Sequence, residues 1–372
     1  MGRYCAVSFT IGEKAYVGLG QLPDGTKSYD FWEYNPEINV WTKKADYPGG
    51  GSMAATGFSV NEKGYVCFGQ DNSNEVHNDL WEYSPVTDTW LQKASFPGIA
   101  RYGASCFVIG DTAFIGTGSH GYADDYLFDM WMYVPASDSW FRKADFPGYR
   151  RSHATAFTIG NYGYLGTGLS GYQSPSGDIW KYDKINDSWT RIPNLPGLAR
   201  AAVISFVIGG KVYVGLGCSF ANDFYYNYSD FYEYNPGTNT WGSLIVAPRN
   251  LLRRRYAVSF IINNMGYVGT GYSENGLLDD LWSFGPEKSS NIIEKHSPDA
   301  FNIYPNPAIK SISVECEENS IIELYSIQGQ HIKTMIAEGK QATIDISGYQ
   351  SGMYCIQINT AKGKITRKFV KE

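Results

Sequence analysis

The sequence predicts an all-β protein, a six-bladed β-propeller followed by a small C-terminal β-sandwich. One tryptophan recurs at intervals of 49, 50, 49 and 52 residues. Its members are Trp41, Trp90, Trp140, Trp189 and Trp241. A second aromatic series runs nine residues ahead of it and comprises Trp32, Trp81, Trp131, Trp180, Tyr232 and Trp282. A repeat of about 50 residues made of short strands is typical of a propeller in which each repeat forms one blade.

Each repeat contains four short apolar segments separated by Gly, Pro, Asn and Asp, which is the pattern of four antiparallel strands. In the first segment small residues such as Ala6 and Ser8 alternate with Val7 and Phe9. Strands that surround a central axis have room only for small side chains on the axial face, so we expect the small residues to line a channel. The repeats span 3–48, 52–97, 101–147, 151–196, 200–248 and 255–295.

The sixth repeat lacks the tryptophan of its last strand, and Asn291 falls at that position. We expect a degenerate strand at 291–295 to complete this blade. Residue 3 already opens a first strand, so no spare strand precedes it to close the ring. Either the sixth blade is weakly closed or further sequence precedes Met1.

Every second strand ends in a glycine, at Gly20, Gly69, Gly118, Gly168, Gly217 and Gly271. A glycine at this place predicts a positive φ or a close approach of another backbone. A tyrosine or phenylalanine lies four positions before each glycine, as Tyr16 does before Gly20.

These features resemble the Kelch repeat over residues 3 to about 290. The resemblance rests on the arginine that opens the first strand, the aromatic residue before the glycine, the Tyr-x-Pro turn of Tyr34-Asn35-Pro36, and the tryptophan that follows. It implies a Kelch-type propeller over residues 1–297. Kelch repeats usually carry two adjacent glycines, whereas the first position of that pair is here Leu19, Phe68, Thr117, Thr167, Leu216 or Thr270.

Residues 298–372 form a different segment, in which the tryptophan series stops and strand-like alternation continues. It looks like the C-terminal sorting domain of type IX secretion substrates in Bacteroidetes. The matching pieces are Tyr304-Pro305-Asn306-Pro307, Leu324-Tyr325-Ser326 with Gly329, Ser351-Gly352-Met353-Tyr354, and the basic end from Lys362 to Lys371. The resemblance implies export to the outer surface or the medium, with the secretion machinery as a partner. The alternative is a generic β-sandwich accessory domain.

The N-terminal residues do not match that export route. MGRYCAVSFT has no charged n-region, apolar h-region or cleavage site, although such substrates need a signal peptide. We therefore expect the native chain to begin upstream of Met1. No stretch approaches the ~18 apolar residues of a membrane span.

Composition restricts the choice of partners. The net charge of −6 does not favour nucleic acid as a ligand. An aromatic content of 16% with only 18% charged residues fits a secreted β-protein that contacts carbohydrate or protein. Of the six cysteines, Cys5, Cys67 and Cys106 fall inside predicted strands, and we expect them to be small core residues.

One rim of the propeller is predicted to carry the variable loops. From the glycine to the recurring aspartate, the second-to-third connections span 10, 10, 11, 10, 13 and 9 residues and share no sequence. A scaffold that keeps one rim constant and varies the other presents loops for binding. The recurring aspartates are Asp30, Asp79, Asp129, Asp178, Asp230 and Asp280, and we expect them to be structural.

An arginine opens most first strands on the same rim, with Ser52 in its place in the second repeat. The series is Arg3, Arg101, Arg151, Arg200 and Arg255. Around a central mouth these guanidinium groups would form a positive funnel suited to carboxylates and sulfates, and they resemble the pocket-lining arginines of ligand-binding Kelch domains. Alternatively, each arginine pairs with the neighbouring blade's aspartate or caps backbone carbonyls, as a residue of the repeat would.

Residues that depart from the repeat are sharper candidates for a binding site. They are Arg150, His153, Arg253, Arg254, and the loop residues Tyr122, Phe224, Tyr225, Tyr226 and Tyr228. The full candidate set for ligand binding is Arg3, Arg101, Arg150, Arg151, His153, Arg200, Arg254, Arg255, Tyr102, Tyr122, Tyr225 and Tyr256.

Signatures of catalysis are absent from the sequence. It has no Gly-rich phosphate loop, nucleophile elbow or His-Glu-x-x-His motif, so no catalytic residue, metal or cofactor is assigned. His77, His120 and His153 near Asp124 and Asp125 are the weak exception, since they could meet at the variable rim.

Three functions remain open. The first is a secreted or cell-surface module that binds a glycan or protein ligand with acidic groups at the variable rim. The second is a carbohydrate-active Kelch enzyme that resembles sialic-acid mutarotases or galactose oxidases, with Glu75, Asp124, Asp223 and Glu274 as available carboxylates. The third is a passive surface spacer.

Overall fold

A computed structural model describes residues 2–121, 125–171, 174–221, 224–245, 251–285, 295–296, 303–316, 318–326, 331–360 and 363–372. Over these residues the chain is all-β, apart from one 3₁₀ turn at Pro135–Ser137. Two compact units are present, one within residues 1–295 and one that contains residues 296–372.

The first three repeats each form a four-stranded antiparallel sheet, or blade. The first contains β1 (Val7–Ile11), β2 (Lys14–Gly18), β3 (Phe31–Asn35) and β4 (Val40–Lys44). The second contains β6 (Thr56–Val60), β7 (Lys63–Cys67), β9 (Leu80–Ser84) and β10 (Thr89–Gln92), and beside this sheet β5 (Ser52–Met53) pairs with β8 (Gln70–Asp71). The third contains β11 (Ser105–Ile109), β12 (Thr112–Gly116), β13 (Met130–Val134) and β14 (Ser139–Lys143).

The last three repeats add short hairpins to the same blade. The fourth contains β15 (Thr155–Ile159), β16 (Tyr162–Gly166), β17 (Leu169–Ser170), β18 (Ser174–Pro175), β19 (Ile179–Asp183) and β20 (Ser188–Ile192). The fifth contains β21 (Ile204–Ile208), β22 (Lys211–Gly215), β23 (Cys218–Ala221), β24 (Phe224–Asn227), β25 (Phe231–Asn235) and β26 (Thr240–Ile245). The sixth contains β27 (Val258–Ile262), β28 (Met265–Gly269), β29 (Tyr272–Ser273), β30 (Gly276–Leu277), β31 (Leu281–Phe284) and β32 (Lys295–His296).

The first strands of the six blades surround a central channel. Contacts run in cyclic order from β1 to β6, β11, β15, β21 and β27, and from β27 back to β1. Small residues line the channel, including Ala6, Ser8 and Ala55. Val7 and Phe9, on the opposite face of β1, are buried between blades. The alternation of small and large residues in the first strands therefore has the predicted cause.

The glycine that ends each second strand joins its blade to the next. Its amide donates to the carbonyl of the residue at the arginine position in the following blade, and the six bonds close a ring. They are Gly20 to Ser52, Gly69 to Arg101, Gly118 to Arg151, Gly168 to Arg200, Gly217 to Arg254 and Gly271 to Arg3, at 2.8–3.1 Å. All six glycines have positive φ, from 82° to 106°. Both predicted reasons for glycine, the positive φ and the close backbone approach, are confirmed.

The residue before each of these glycines is also left-handed, although none is glycine. Leu19, Thr117 and Thr270, for example, have φ of 59°, 57° and 59°. The backbone of the Kelch glycine pair is therefore kept where the first glycine is replaced. Such a conformation costs a non-glycine residue about 1 kcal/mol or more, which the buried side chains of Leu19 and Thr117 offset by packing.

The tryptophan series spaced 49–52 residues apart also links neighbouring blades. The indole nitrogens of Trp90, Trp140 and Trp189 donate to the carbonyls of Ala45, Ala94 and Ala144 at 3.0, 2.9 and 3.1 Å. Each carbonyl belongs to the preceding repeat. Consequently a tryptophan near the outer edge of each of these blades fixes the distance between that blade and the preceding one.

The first and sixth blades close the ring through packing and hydrogen bonds. Tyr34 packs on Phe260 and Tyr267, with ring centroids 6.3 and 5.8 Å apart. The amide of Cys5 donates to the carbonyl of Tyr256 at 3.3 Å. The fourth place in the sixth sheet is taken by β32. It shares Lys295 with the range 291–295 expected for a degenerate strand and ends one residue later. Asn291 and residues 292–294 lie outside the described residues.

The second unit is a β-sandwich, as predicted. Its strands are β33 (Ile303–Tyr304), β34 (Ser311–Glu315), β35 (Ile321–Ser326), β36 (His331–Ile336), β37 (Gln341–Asp345), β38 (Gly352–Thr360) and β39 (Gly363–Lys371). They form one sheet in the order β33-β34-β37 and another in the order β36-β35-β38-β39. Ile312, Val314, Ile322, Leu324 and Phe369 are buried in its core.

We expect Gly118→Ala to destabilise the propeller by about 3 kcal/mol or more, because its Cβ would lie 2.9 Å from the Tyr102 carbonyl oxygen at a φ of 99°. Gly160→Ala is the control, since it has φ of 55° but no atom within 4 Å of the new Cβ, and should cost about 1 kcal/mol. Urea unfolding followed by tryptophan fluorescence measures this, because all ten tryptophans lie between residues 32 and 282. Equal losses in the two variants would contradict the close approach.

Candidate functional site

The described surface of the variable rim centres on six residues that encircle the channel opening. This mouth ring consists of Cys5, Ala54, Gly103, His153, Ala202 and Tyr256. All six are left-handed, with φ of 52–61°. The amides of Cys5, Ala54, Gly103, His153 and Ala202 each donate to the carbonyl of the preceding ring member, at 2.8–3.3 Å. These hydrogen bonds fix the backbone of the mouth ring as a collar around the opening, and its six positions differ only in their side chains.

The arginine series does not form a funnel at this mouth: that expectation is wrong for Arg3, Arg101, Arg151 and Arg200, and the separate candidate Arg254 is buried as well. Arg3, Arg101, Arg151, Arg200 and Arg254 are each at most 5% exposed. The guanidinium of Arg101 makes a bidentate pair with Asp129, at 2.6 and 2.8 Å, and donates to the Thr117 carbonyl at 3.0 Å. The bidentate pair recurs as Arg3–Asp30, Arg151–Asp178, Arg200–Asp230 and Arg254–Asp280. Each partner belongs to the arginine's own blade, not to the neighbouring one.

The aspartate of this pair also explains the second aromatic series. The indole nitrogens of Trp32, Trp131 and Trp180 donate to the carboxylates of Asp30, Asp129 and Asp178 two residues earlier, at 2.8–2.9 Å. The same bond is made by Trp81 to Asp79 and by Trp282 to Asp280. The expectation that the recurring aspartates are structural fits this network.

In these pairs the arginine lowers the pKa of the aspartate by more than burial raises it. Burial raises the pKa of the Asp30 carboxyl, but the hydrogen bonds and charge of Arg3 lower it further, to about 2. The pKa values of Asp129 and Asp178 are likewise lowered, since Arg101 and Arg151 overcome burial. These carboxylates therefore stay ionised at any physiological pH.

The second blade has no arginine at this position. Ser52 stands at the arginine position, and Tyr47 stands where Phe96 and Phe146 precede the arginines of the next blades. The Tyr47 hydroxyl donates to Asp79 at 3.4 Å, while Oδ1 of Asp79 and Oγ of Ser52 are buried without a partner. Blade two therefore lacks the arginine–aspartate pair, here called a strut, that the other five blades contain.

The sixth repeat has its register one residue from the prediction. Arg254, not Arg255, takes the repeat position, because Arg254 binds Asp280 and the Thr270 carbonyl as Arg101 binds Asp129 and Thr117. Arg255 is thereby placed one position closer to the mouth ring, next to Tyr256. Two adjacent arginines concealed this shift in the sequence.

Arg255 is the arginine that the mouth exposes. Its guanidinium lies over the rings of Tyr225 and Tyr272, 4.4 and 4.5 Å from their centroids. Nη1 donates to the Asn227 side chain at 3.0 Å. Among the described residues no carboxylate lies within ion-pair distance of Arg255, in contrast to the five arginines of the struts.

An aromatic wall continues from Arg255 across the mouth. His153 lies 5.0 Å from Tyr256 and 6.0 Å from Tyr102, measured between ring centroids. Tyr4 packs on Tyr256 at 6.0 Å and on Tyr272 at 5.9 Å. Tyr4 and Tyr272 were not in the candidate set. For Tyr4 the repeat position is the sequence signal that could have identified it, since Tyr4 and Arg255 are equivalent residues of the first and sixth repeats.

The hairpin of β23 and β24 rises beside this wall from the longest second-to-third connection. Phe224, Tyr225 and Tyr226 are 67%, 40% and 49% exposed. Phe220 packs on Tyr225 with centroids 4.9 Å apart, which holds the Tyr225 ring toward Arg255. Tyr228 instead packs beneath the rim, where its ring covers the Arg200 guanidinium at 4.1 Å.

The other candidates lie away from this cluster or outside the described residues. Arg150 is exposed, with its guanidinium over Phe128, and Arg253 is exposed. Tyr122, Asp124 and Asp223 lie outside the described residues. His77 contacts Asp71 and His120 contacts the Ala100 carbonyl, and the described residues contain no His, Cys, Asp or Glu group suited to hold a metal.

Burial sets the protonation of the mouth residues. It lowers the pKa of His153 to about 4 and raises the pKa values of Tyr4 and Tyr256. The imidazole is thus neutral and the phenols keep their protons near pH 7. Cys5 was expected in a strand core but lies in the mouth ring, partly exposed, with its thiol pKa raised by burial. The mouth therefore offers neutral donors, aromatic faces and one permanent cation.

The fold and this rim define a repeat propeller with an aromatic mouth. Residues 7–217 match the model of the KLHDC2/KLHL20/DRC7 Kelch-repeats domain, and the chain belongs to the Kelch-repeat family. Residues 302–372 match the secretion system C-terminal sorting domain, which implies export to the cell surface or the medium and a contact with the secretion machinery.

This chain is similar in fold to a solved structure. The structure of YjhT aligns with a TM-score of 0.68 at 15% identity, over 79% of this chain and 98% of that chain. No curated protein matches the sequence. None of the described residues forms a helix that could cross a bilayer.

We expect Arg101→Met to destabilise the propeller by about 3 kcal/mol, because the partly buried Asp129 would lose its bidentate partner and keep only the exposed Arg142, 3.4 Å away. Lys43→Met is the control, since the Lys43–Asp46 pair is solvent-exposed and should contribute less than about 1 kcal/mol. Urea unfolding followed by tryptophan fluorescence measures both. A loss in Arg101→Met as small as the control would refute the structural role of the pair.

We expect His153→Gln to flatten the pH dependence of stability between pH 6.5 and 4. The folded pKa of about 4 lies below the ordinary 6.5, so in this window the unfolded chain binds a proton that the folded chain does not. Wild-type stability should fall as the pH drops through the window, and the full penalty applies below pH 4. Urea midpoints at pH 7.5, 6.5, 5.5 and 4.5 measure this, with His120→Gln as the exposed-histidine control. Parallel curves for wild type and His153→Gln would contradict it.

Proposed function

We propose that this protein is an exported binding module whose propeller recognises an anionic glycan at the mouth ring. The observation that carries the proposal is Arg255, a partly exposed guanidinium held between Tyr225 and Tyr272 with no carboxylate partner among the described residues. A preoriented arginine fork binds carboxylate or sulfate groups in two parallel hydrogen bonds.

The surroundings of Arg255 favour a sugar as the carrier of that anionic group. Tyr4, Tyr102, Tyr256 and Tyr272 present ring faces and hydroxyls on a backbone collar that does not need to reorganise. Tyrosine gives a large contact area at low entropic cost, and its hydroxyl can bond to sugar hydroxyls. The cavity at the mouth ring has a volume of about 150 Å³, which suits one terminal sugar residue.

The contrast with the struts supports the anionic specificity. Five arginines on the same rim are neutralised by buried aspartates, so their charge is directed into the blades. Arg255 alone among the arginines of the mouth lacks such a partner in the described part of the chain. The export implied by residues 302–372 supports the proposal, since it would bring this site to extracellular glycans.

We expect Arg255→Gln to weaken binding of sialylated or sulfated glycans at least tenfold, because the charged fork is lost, equivalent to about 1.4 kcal/mol or more. A glycan array identifies the ligand, and calorimetry on the full chain at low and physiological salt measures the affinity. Arg253→Gln, an exposed neighbouring arginine, is the matched control and should bind as wild type.

Three outcomes would contradict or redirect the proposal. Unchanged affinity in Arg255→Gln would move the site away from the mouth. A blank array would favour a protein ligand or a passive spacer. Turnover of free sialic acid or galactose, lost in His153→Gln, would identify the carbohydrate-active enzyme instead.

A further inference from the structure

A second cavity of the described propeller, apart from the mouth, is a groove on the fourth blade. It has a volume of about 480 Å³ and lies between the connection that enters blade four and its own second-to-third connection. Tyr149, Ser176, Trp180, Arg191 and Asn194 line it. Both connections belong to the variable rim, so the groove opens on the same rim as the mouth ring.

Arg191 in this groove lacks the carboxylate that its counterparts have. In blade one Lys43 pairs with Asp46 at 3.1 Å, and in blade three Arg142 pairs with Asp145. Blade four has Asn194 at this position. Nη2 of Arg191 donates to its side-chain oxygen at 3.1 Å, and the described residues provide Arg191 with no ion pair.

The other charges in the groove are already paired. Asp178 accepts both terminal nitrogens of Arg151, at 2.7 and 2.9 Å, as well as the Trp180 indole and the Ser176 hydroxyl. Its carboxylate is thus turned toward the strut. Arg191 lies with its guanidinium 5.9 Å from the centroid of the Trp180 ring, which leaves its other face toward the groove.

Tyr149 gives the groove an aromatic platform that the other blades do not have. It is 82% exposed, and its carbonyl accepts a bond from Nε of Arg151 at 2.9 Å, so its backbone is held by the strut. The equivalent residues are Gly50, Ile99, Leu198 and Leu252. An exposed ring on a fixed backbone covers sugar surface at low entropic cost.

We infer that this groove is a second binding site, independent of the mouth, for a uronic acid residue of an acidic polysaccharide. The sugar ring packs on Tyr149, its carboxylate pairs with the Arg191 fork, and a hydroxyl bonds to the Asn194 amide. A carboxylate on a ring fits better than an isolated anion, because an aromatic platform and a cation line the same groove. Two sites on one rim would also raise the avidity for a polymer.

The test restores the pattern of blades one and three. Asn194→Asp gives Arg191 the carboxylate that Arg142 has, without removing any groove side chain. Trigalacturonate and its methyl ester are titrated into the full chain by calorimetry, with intrinsic tryptophan fluorescence as a second readout. We expect wild type to bind trigalacturonate at least tenfold more tightly than the ester, and Asn194→Asp, Arg191→Gln and Tyr149→Ala each to lose at least tenfold.

The controls separate this site from the mouth. Arg142→Gln, the equivalent arginine of blade three, should bind trigalacturonate as wild type, and all variants are compared in the Arg255→Gln background so that the mouth does not contribute to the affinity. Equal binding of acid and ester, full affinity in Asn194→Asp, or no binding of either trigalacturonate or triglucuronate would overturn the inference. Binding of poly-glutamate that is as tight and as sensitive to Asn194→Asp would also overturn it, in favour of an acidic protein partner. None of these results depends on the outcome at Arg255.

Discussion

A buried, bidentate arginine–aspartate pair, repeated in five of the six blades, is the interaction on which the variable rim depends. The arginine side chain joins the entry to the first strand with the start of the third, and its own carbonyl accepts the glycine amide of the preceding blade. Removal of either charge would leave the other desolvated and unpaired, so the pair is costly to break even where its net contribution to stability is modest. The mouth collar and the loop bases are anchored to these pairs.

Both proposed binding sites lie where the repeat is broken. Arg255 is free to face the mouth because Arg254 already fills the repeat position. Arg191 is free to face its groove because asparagine replaces the aspartate that neutralises its equivalents. In both places the distinguishing feature is a cation without its carboxylate, next to an exposed aromatic ring. Comparison of equivalent positions in the six repeats thus identifies the residues that are candidates for ligand binding.

Much of the fold was predictable because periodicity encodes it directly. The intervals between tryptophans, the small residues at Ala6 and Ser8, and the strand-ending glycines each follow from a geometric need that recurs in every blade. The candidate site was less predictable, since an arginine that serves as a strut and one that serves as a ligand contact look the same in sequence. Five of the candidates proved to be struts, while Tyr4 and Tyr272 were missed because single tyrosines carry no pattern.

The sequence by itself determined the repeat, the blade number and the sorting domain, because each depends on spacing along the chain. Only the tertiary structure decided which residues meet. It paired each arginine with the aspartate of its own blade, shifted the sixth repeat by one residue, and brought Tyr4, His153, Arg255 and Tyr272 from four separate segments to one collar. The contact between Tyr4 and Tyr272 joins residues 268 positions apart, and no local pattern records which side chain such a contact leaves unpaired.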